Sequence, residues 1–217
     1  MRSDAMSIMN LTQLTIGYIA GGLALIQIIP YVISILKGHN KPERATFAIW
    51  SLVNILIVSS YIASGARETI WVGLAYTVAS ITIFILSFKY GMGGLSKFDV
   101  LCLLLAGLGI VCWITTDNPV LVLYLYIGIK FLGLMSTIIK AYRYPKTENI
   151  LAWTLSTFAS TLNLFAISVW IPQIRAFPIY SFFGETIVTV ILLTANFQDY
   201  KSFKKKLSAI YEVQLSY

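Results

Sequence analysis

Apolar stretches close to twenty residues long recur from one end of this chain to the other. A helix needs about that length to cross a bilayer. Inside the hydrocarbon, helices and closed barrels alone leave no backbone group unsatisfied. Seven spans can be read, at roughly 11–36, 45–63, 70–88, 99–116, 119–139, 150–171 and 178–196. The expected fold is therefore an all-α membrane protein with seven transmembrane helices. Composition agrees: 58% of residues are hydrophobic and 12% are charged, about half the charge usual in a soluble domain. Little sequence lies outside the spans, which argues against a soluble domain with its own chemistry. The first span is too long for the apolar core of a signal peptide and ends at no small-residue cleavage site, so it reads as a retained helix.

Charge placement sets an orientation. The loops after spans 1, 3, 5 and 7 hold Lys37, Lys41, Arg44, Lys89, Lys97, Lys140, Arg143, Lys146, Lys201, Lys204, Lys205 and Lys206, while the other side holds Arg2, Arg67 and Arg175. The positive-inside rule then puts the N-terminus outside and the C-terminus in the cytoplasm. The expected location is a bacterial inner membrane. The net charge of +7 thus reports topology and gives no reason to expect nucleic acid. In the tail, Phe197, Tyr200, Phe203, Leu207, Ile210 and Tyr211 recur at spacings of three and four, with lysines between. That pattern predicts a short amphipathic helix on the anionic inner leaflet.

The chain also repeats itself. "NKPERATFAIW" (40–50) and "RYPKTENILAW" (143–153) align at an offset of 103 residues, which superimposes Pro42 on Pro145, Trp50 on Trp153 and Lys37 on Lys140. The same offset lays span 1 on 5, 2 on 6 and 3 on 7, leaving span 4 alone. The plan is 3+1+3: a first three-helix repeat at 1–88, a loop and linker helix at 89–118, a second repeat at 119–196 and a basic tail at 197–217. The unpaired span makes the two repeats parallel, related by an axis along the membrane normal, and the natural solute site is the cavity between them.

This plan resembles the SWEET, PQ-loop and PnuC superfamily of small-solute transporters. Gln27–Tyr31, with Pro42 and "ATFAIW" at 45–50, resembles the first repeat of bacterial PQ-loop proteins, and "ENILAW" at 148–153 is similar to the sixth span of the group's vitamin transporters. The resemblance implies a carrier of a sugar, nucleoside-like vitamin or amino acid. The Pro-Gln pair of the family is intact in neither copy. The first has Gln27 and Pro30, and the second has Lys130 and Gly133 at the matching positions. The literal Pro172-Gln173 falls at the outer end of span 6, off that register.

Several residues are candidates for the work. Pro30 breaks a hydrogen bond inside span 1, which makes it a hinge for alternating access or a static kink. Gly133 can bend its helix in the second copy. Gln27, Pro30 and Gly133 are thus the hinge or gate candidates. Lys130 and Glu185 lie at similar depths in spans 5 and 7, where a charge seeks a partner. A contact or a shared water network between them is expected, either as part of a solute site or as a clamp. Trp50 and Asn54 in span 2, and Trp153 and Asn163 in span 6, fall on helical faces that suit a small polar ring. Trp50 and Trp153 also fit an anchoring role near the cytoplasmic surface. The Ser and Thr residues of span 6 fit helix packing, as do Gly17, Gly21 and Gly22. Cys102 and Cys112 share one helix about 15 Å apart, beyond disulfide reach.

No P-loop, HExxH or GxSxG pattern is present, which argues against ATP-driven transport within this chain and the familiar hydrolases. No cofactor, metal ligand or catalytic residue is expected, and the reading is not an enzyme. A light-sensing receptor would need a lysine in its last span, and 178–196 has none. The alternatives are a proton-coupled carrier of an amino acid-like solute using Glu185, and a scaffold or receptor without transport. One chain can hold the whole site, so a homo-oligomer is compatible with function but not required for it.

Overall fold

Pro30 stands well inside the first apolar span, and the helix breaks just before it, at Gln27. Pro30 has no N–H to give the Ile26 carbonyl, and its ring crowds that carbonyl. In the computed structural model α1 (Arg2–Ile26) accordingly ends at Ile26, and α2 (Ile28–Leu36) resumes after Gln27. The structure describes residues 2–91, 93–94 and 97–215, with side chains at 11–91, 93–94, 97, 100–135 and 137–197. Every regular element among them is helical: α3 (Arg44–Ala63), α4 (Ile70–Tyr90), α5 (Lys97–Thr116), α6 (Pro119–Arg143), α7 (Ile150–Phe165) and α8 (Pro172–Leu215), with a single 3-10 turn at Pro145–Thr147.

Among the described residues, five helical segments are long and apolar enough to cross a membrane: Leu11–Leu36, Arg44–Ala63, Ile70–Tyr90, Pro119–Arg143 and Pro172–Phe197. Two shorter apolar helices, Val100–Thr116 and Ile150–Phe165, complete the set. The chain is a membrane protein by this measure. Large apolar side chains are exposed on many helices, among them Ile114 on α5 and Phe165 on α7, a surface that suits lipid.

Local sequence explains the helix ends. After α2 and after α3, Gly38 and Gly65 adopt φ of 75° and 86°, the left-handed region that favours glycine. In both, the next amide reaches back five residues, His39 to the Ser34 carbonyl at 3.0 Å and Ala66 to the Tyr61 carbonyl at 3.1 Å, a Schellman closure. Asn118 caps α6 by accepting from the amides of Val120 and Leu121, with Pro119 in the first turn. Asn149 caps α7 through the Ala152 amide at 3.0 Å.

Two boundaries differ from the sequence reading. The sixth span was expected to run to residue 171, but α7 stops at Phe165. Pro172-Gln173 does not end that span; it opens α8. Proline suits the first turn of a helix, where its missing N–H would have had no partner. The backbone of α8 then continues helical to Leu215 without a break. The side chains of the expected amphipathic stripe from Tyr200 onward lie outside the described residues. Two of the three α1 glycines serve packing: Gly17 lies against the Glu68 backbone, and a Cβ on Gly21 would stand 2.6 Å from the Trp71 Cβ, whereas Gly22 faces open space. Cys102 is buried, and neither Cys102 nor Cys112 forms a disulfide.

The helices close into a ring. α1 packs on α4 and α7, α3 on α4 and α6, and α8 on α6 and α7, so the order around the ring is α1, α4, α3, α6, α8, α7. α5 lies outside it, against α6 and α3. One end of the ring is solid. There Val53, Ile57 and Tyr61 of α3 meet Val72 of α4, Val122, Leu123 and Tyr126 of α6 and Ile174 and Phe177 of α8 in one buried cluster. The other end holds a cavity.

Candidate solute site

The cavity has a volume of about 370 Å³. Its wall is built from α3, α4, α6, α7 and α8, with Gln27 and Tyr31 from the broken first span. It reaches Pro42, Glu43, Lys140 and Glu148, at the end where the lysine-rich loops lie. Lys140 and Glu43 are exposed there, so this is the mouth.

At the floor stands Lys130, presented by α6. Its ammonium lies 5.1 Å from the ring centre of Tyr76, 5.1 Å from that of Phe177 and 5.9 Å from that of Tyr180. Three ring faces around one ammonium make a cation–π cage. Glu185, one-eleventh exposed or less at 9%, sits among the hydroxyls of Tyr76, Ser156 and Ser160. Tyr76 and Ser156 also share a hydrogen bond of 2.9 Å between their hydroxyls. Glu185 Oε2 has no hydrogen-bond partner. Lys130 and Glu185 are close enough for their charges to act on one another. Yet no direct ion pair joins them: aromatic rings surround the one, and Oε2 of the other has no partner. From Pro119 to Lys130 α6 rises about 17 Å, and from Pro172 to Glu185 α8 rises about 20 Å, so the earlier start of α8 brings their depths closer than the sequence reading did.

Trp50 and Trp153 both line the cavity. The Trp153 indole donates to Glu148 Oε2 at 3.1 Å, and Glu148 pairs with Lys140 at 2.9 Å. Trp50 stacks edge-on against Phe47 at 5.5 Å. Asn54 lines the wall too, but its amide nitrogen is committed to α4, donating to the Tyr76 carbonyl at 3.2 Å and to Ser80 Oγ at 3.1 Å. Asn163 stands apart. It is fully buried, its amide atoms have no partner, and it does not line the cavity. The helical stripe through Ser156, Ser160 and Asn163 is real, but it descends into the packed end, and the cavity stops short of it.

The three hinge candidates also separate. Gln27 lies at the helix break and lines the cavity. Pro30 makes the break, and its carbonyl accepts a hydrogen bond from Asn149 Nδ2 at 3.1 Å. α6 runs as one continuous helix through Gly133. Its role is contact: a Cβ there would stand 2.6 Å from the Trp50 indole nitrogen. Sequence reasoning missed Tyr76, Phe177, Tyr180 and Ser181. Aromatic residues are common in apolar spans, and nothing in their spacing marks these.

The solid end carries its own fastening. Pro178 lies inside α8, so the Ile174 carbonyl has no helical donor. The Tyr61 hydroxyl crosses from α3 and donates to it, and Tyr61 also shares a 2.5 Å hydrogen bond with Thr69. Its ring packs on Phe177 at 5.8 Å. Nearby, Gln13 Nε2 donates to the Ile167 carbonyl at 3.1 Å.

No protein-family model matches the chain, and no curated protein does. The site must therefore be read from its own geometry.

Proposed function

We propose that this protein is a membrane carrier that moves a small polar solute by alternating access between two three-helix units. The observation that carries this reading is the ring itself, with a cavity at the lysine-rich end and a hydrogen-bonded fastening at the other. A carrier caught with one gate open has this form. α1 to α4 and α6 to α8 are the two units, α5 is the linker, and the order around the ring maps onto itself when the units are exchanged. This supports a parallel 3+1+3 plan like that of the SWEET, PQ-loop and PnuC transporters. The positive-inside bias puts the cavity mouth in the cytoplasm and the N-terminus outside.

A specific observation favours a second mode. Glu185 is a buried carboxyl with an oxygen that no protein group satisfies, and such a group in a membrane is suited to carrying a proton. Uniport and proton-coupled transport of the solute through the same cavity then differ in one measurement. The protein is reconstituted into liposomes and uptake of labelled sugars, nucleosides and amino acids is followed with and without an inward proton gradient. Equilibration independent of the gradient marks a uniporter, and accumulation driven by it marks coupling. A folded protein that moves none of these solutes refutes the carrier reading and leaves a scaffold or receptor.

A further inference from the structure

Two ionisable side chains face one cavity and do not neutralise each other. Among the described residues the Lys130 ammonium has no hydrogen-bond acceptor; it has three aromatic rings. Ring faces attract a cation but offer no lone pair of a carboxylate's strength to its N–H donors. Glu185 Oε2 likewise has no donor. Lone charges at membrane depth are costly and normally find a partner. These two are near enough to sense each other, yet each is held back by its own surroundings.

Part of the polar wall is committed to the protein itself. Asn54 Nδ2 is spent on α4, the Trp153 indole on Glu148, and the Tyr76 and Ser156 hydroxyls on each other. Ser181 Oγ is buried on the wall without a partner, and Gln27, Tyr31, Trp50 and Tyr180 line the cavity too. These neutral groups can hydrogen-bond a solute, but they do not answer the two charges. A simple anion would satisfy Lys130 but face Glu185 as a like charge. A simple cation would do the reverse. A neutral solute would leave both unpaired.

We infer that the cavity binds a zwitterion: a small solute with a carboxylate and an ammonium on one short frame, as in an amino acid. Its carboxylate accepts from Lys130 and its ammonium donates to Glu185. Trp50, Trp153 and Tyr31 form the wall for its side chain. A volume of about 370 Å³ lies at the small end of ligand pockets, enough for such a solute together with the water of the mouth. The assignment deepens the carrier reading and relies on it for passage of the solute, whereas binding can be tested alone.

The test uses the full-length protein in detergent and in liposomes. Binding is screened with the standard L-amino acids, glucose and uridine, first by thermal shift, which a native-state ligand raises, and then by calorimetry. An amino acid should bind, and glucose and uridine should not. For that amino acid, Lys130→Met and Glu185→Gln should each weaken binding on the order of thirtyfold or more, the loss expected when one partner of a buried charge pair is removed. Its decarboxylated amine should bind weakly and respond to Glu185→Gln but not to Lys130→Met, and its deaminated acid should show the opposite pattern. Should a single variant fail to fold, the double variant Lys130→Met/Glu185→Gln leaves no lone charge and should fold while losing amino acid binding. Uptake of glucose or uridine without amino acid binding overturns the zwitterion assignment and keeps the carrier. Amino acid binding with no uptake keeps the site and overturns the carrier. An amino acid that binds the double variant as well as the native protein overturns the assignment.

Discussion

Tyr61→Phe removes one oxygen atom from the fastened end of the ring, and its consequence can be worked from the geometry. The lost hydroxyl donates to the Ile174 carbonyl and bonds Thr69. Thr69 can turn its hydroxyl toward another backbone oxygen. The Ile174 carbonyl has no such recourse, because residue 178 is proline and no helical N–H points at it. Tyr61 is fully buried and Ile174 nearly so, so water does not replace the bond without opening the packing. Leaving a buried acceptor unsatisfied costs about 1–3 kcal/mol, with the lower half of that range more usual in membranes. The thermal midpoint should fall by about 2–4 °C for each kcal/mol in a chain of this length. Loss of packing would give a similar fall, so the deciding measurement is a double-mutant cycle. Pro178→Ala restores an N–H four residues after Ile174. In the native background it adds a donor to a carbonyl that already has one. In the Tyr61→Phe background it supplies the missing bond. The two substitutions should therefore be non-additive by about 1 kcal/mol, with Pro178→Ala more favourable in the variant. Additivity within about 0.5 kcal/mol would refute the claim that Tyr61 serves the carbonyl that Pro178 leaves free.

Three further substitutions probe the other end. Gly133→Ala places a methyl 2.6 Å from the Trp50 indole nitrogen and should cost about 1–3 kcal/mol by overpacking; Trp50→Leu in the same chain should recover most of it, as read by thermal midpoint. Asn149→Ala removes both the cap of α7 and the bond to the Pro30 carbonyl. It should cost about 1–2 kcal/mol, more than Asn118→Ala, whose side chain caps α6 without a cross-helix bond. Lys140→Met breaks a pair whose lysine is half exposed and should change stability by less than about 1 kcal/mol, while Glu148→Gln, which also meets the Trp153 indole, should shift tryptophan emission.

Much of the helix plan was legible because charge and proline mark its joints. Lys41, Pro42, Glu43 and Arg44 interrupt the hydropathy between the first two spans, and Asp117, Asn118 and Pro119 do so before the fifth. The break at Gln27 follows from Pro30 alone. The junction between the sixth and seventh spans hides because its turn is written in apolar letters, Val169, Trp170 and Ile171. Hydropathy reads straight through them, and only Pro172 as a first-turn residue signals the start of α8. Within the site, Lys130 and Glu185 stand out because a charge in an apolar span has few innocent explanations. Tyr76, Phe177 and Tyr180 do not stand out, since aromatic rings serve equally well in the core or against lipid. Which rings surround Lys130 depends on how α4 and α8 are rotated against α6, and no single helix carries that information. Asn163 shows the converse error: helical spacing gives a face, but it does not say how deep along that face the cavity extends.

The two copies of the sequence plan divide the labour unequally. At the shared offset Trp50 matches Trp153, and both stand on the cavity wall. Gln27 matches Lys130, and both stand there too. The frame is therefore common to the two copies, but the charge is not. Glu185 falls opposite Thr82, whose hydroxyl is spent on the Val78 carbonyl at 2.8 Å, outside the cavity wall. The first copy contributes a broken helix, at Gln27, and walls whose one charged lining residue, Glu43, lies at the mouth. The second contributes an unbroken α6, the ammonium and the carboxyl. This arrangement has a mechanical consequence. The charged pair sits on α6 and α8, which pack directly on each other, so under the proposed carrier reading a solute held between Lys130 and Glu185 would stay with one unit. The other unit, with its break beside the cavity and Tyr61 reaching across the far end, is then the one whose movement would open and close the two sides around it.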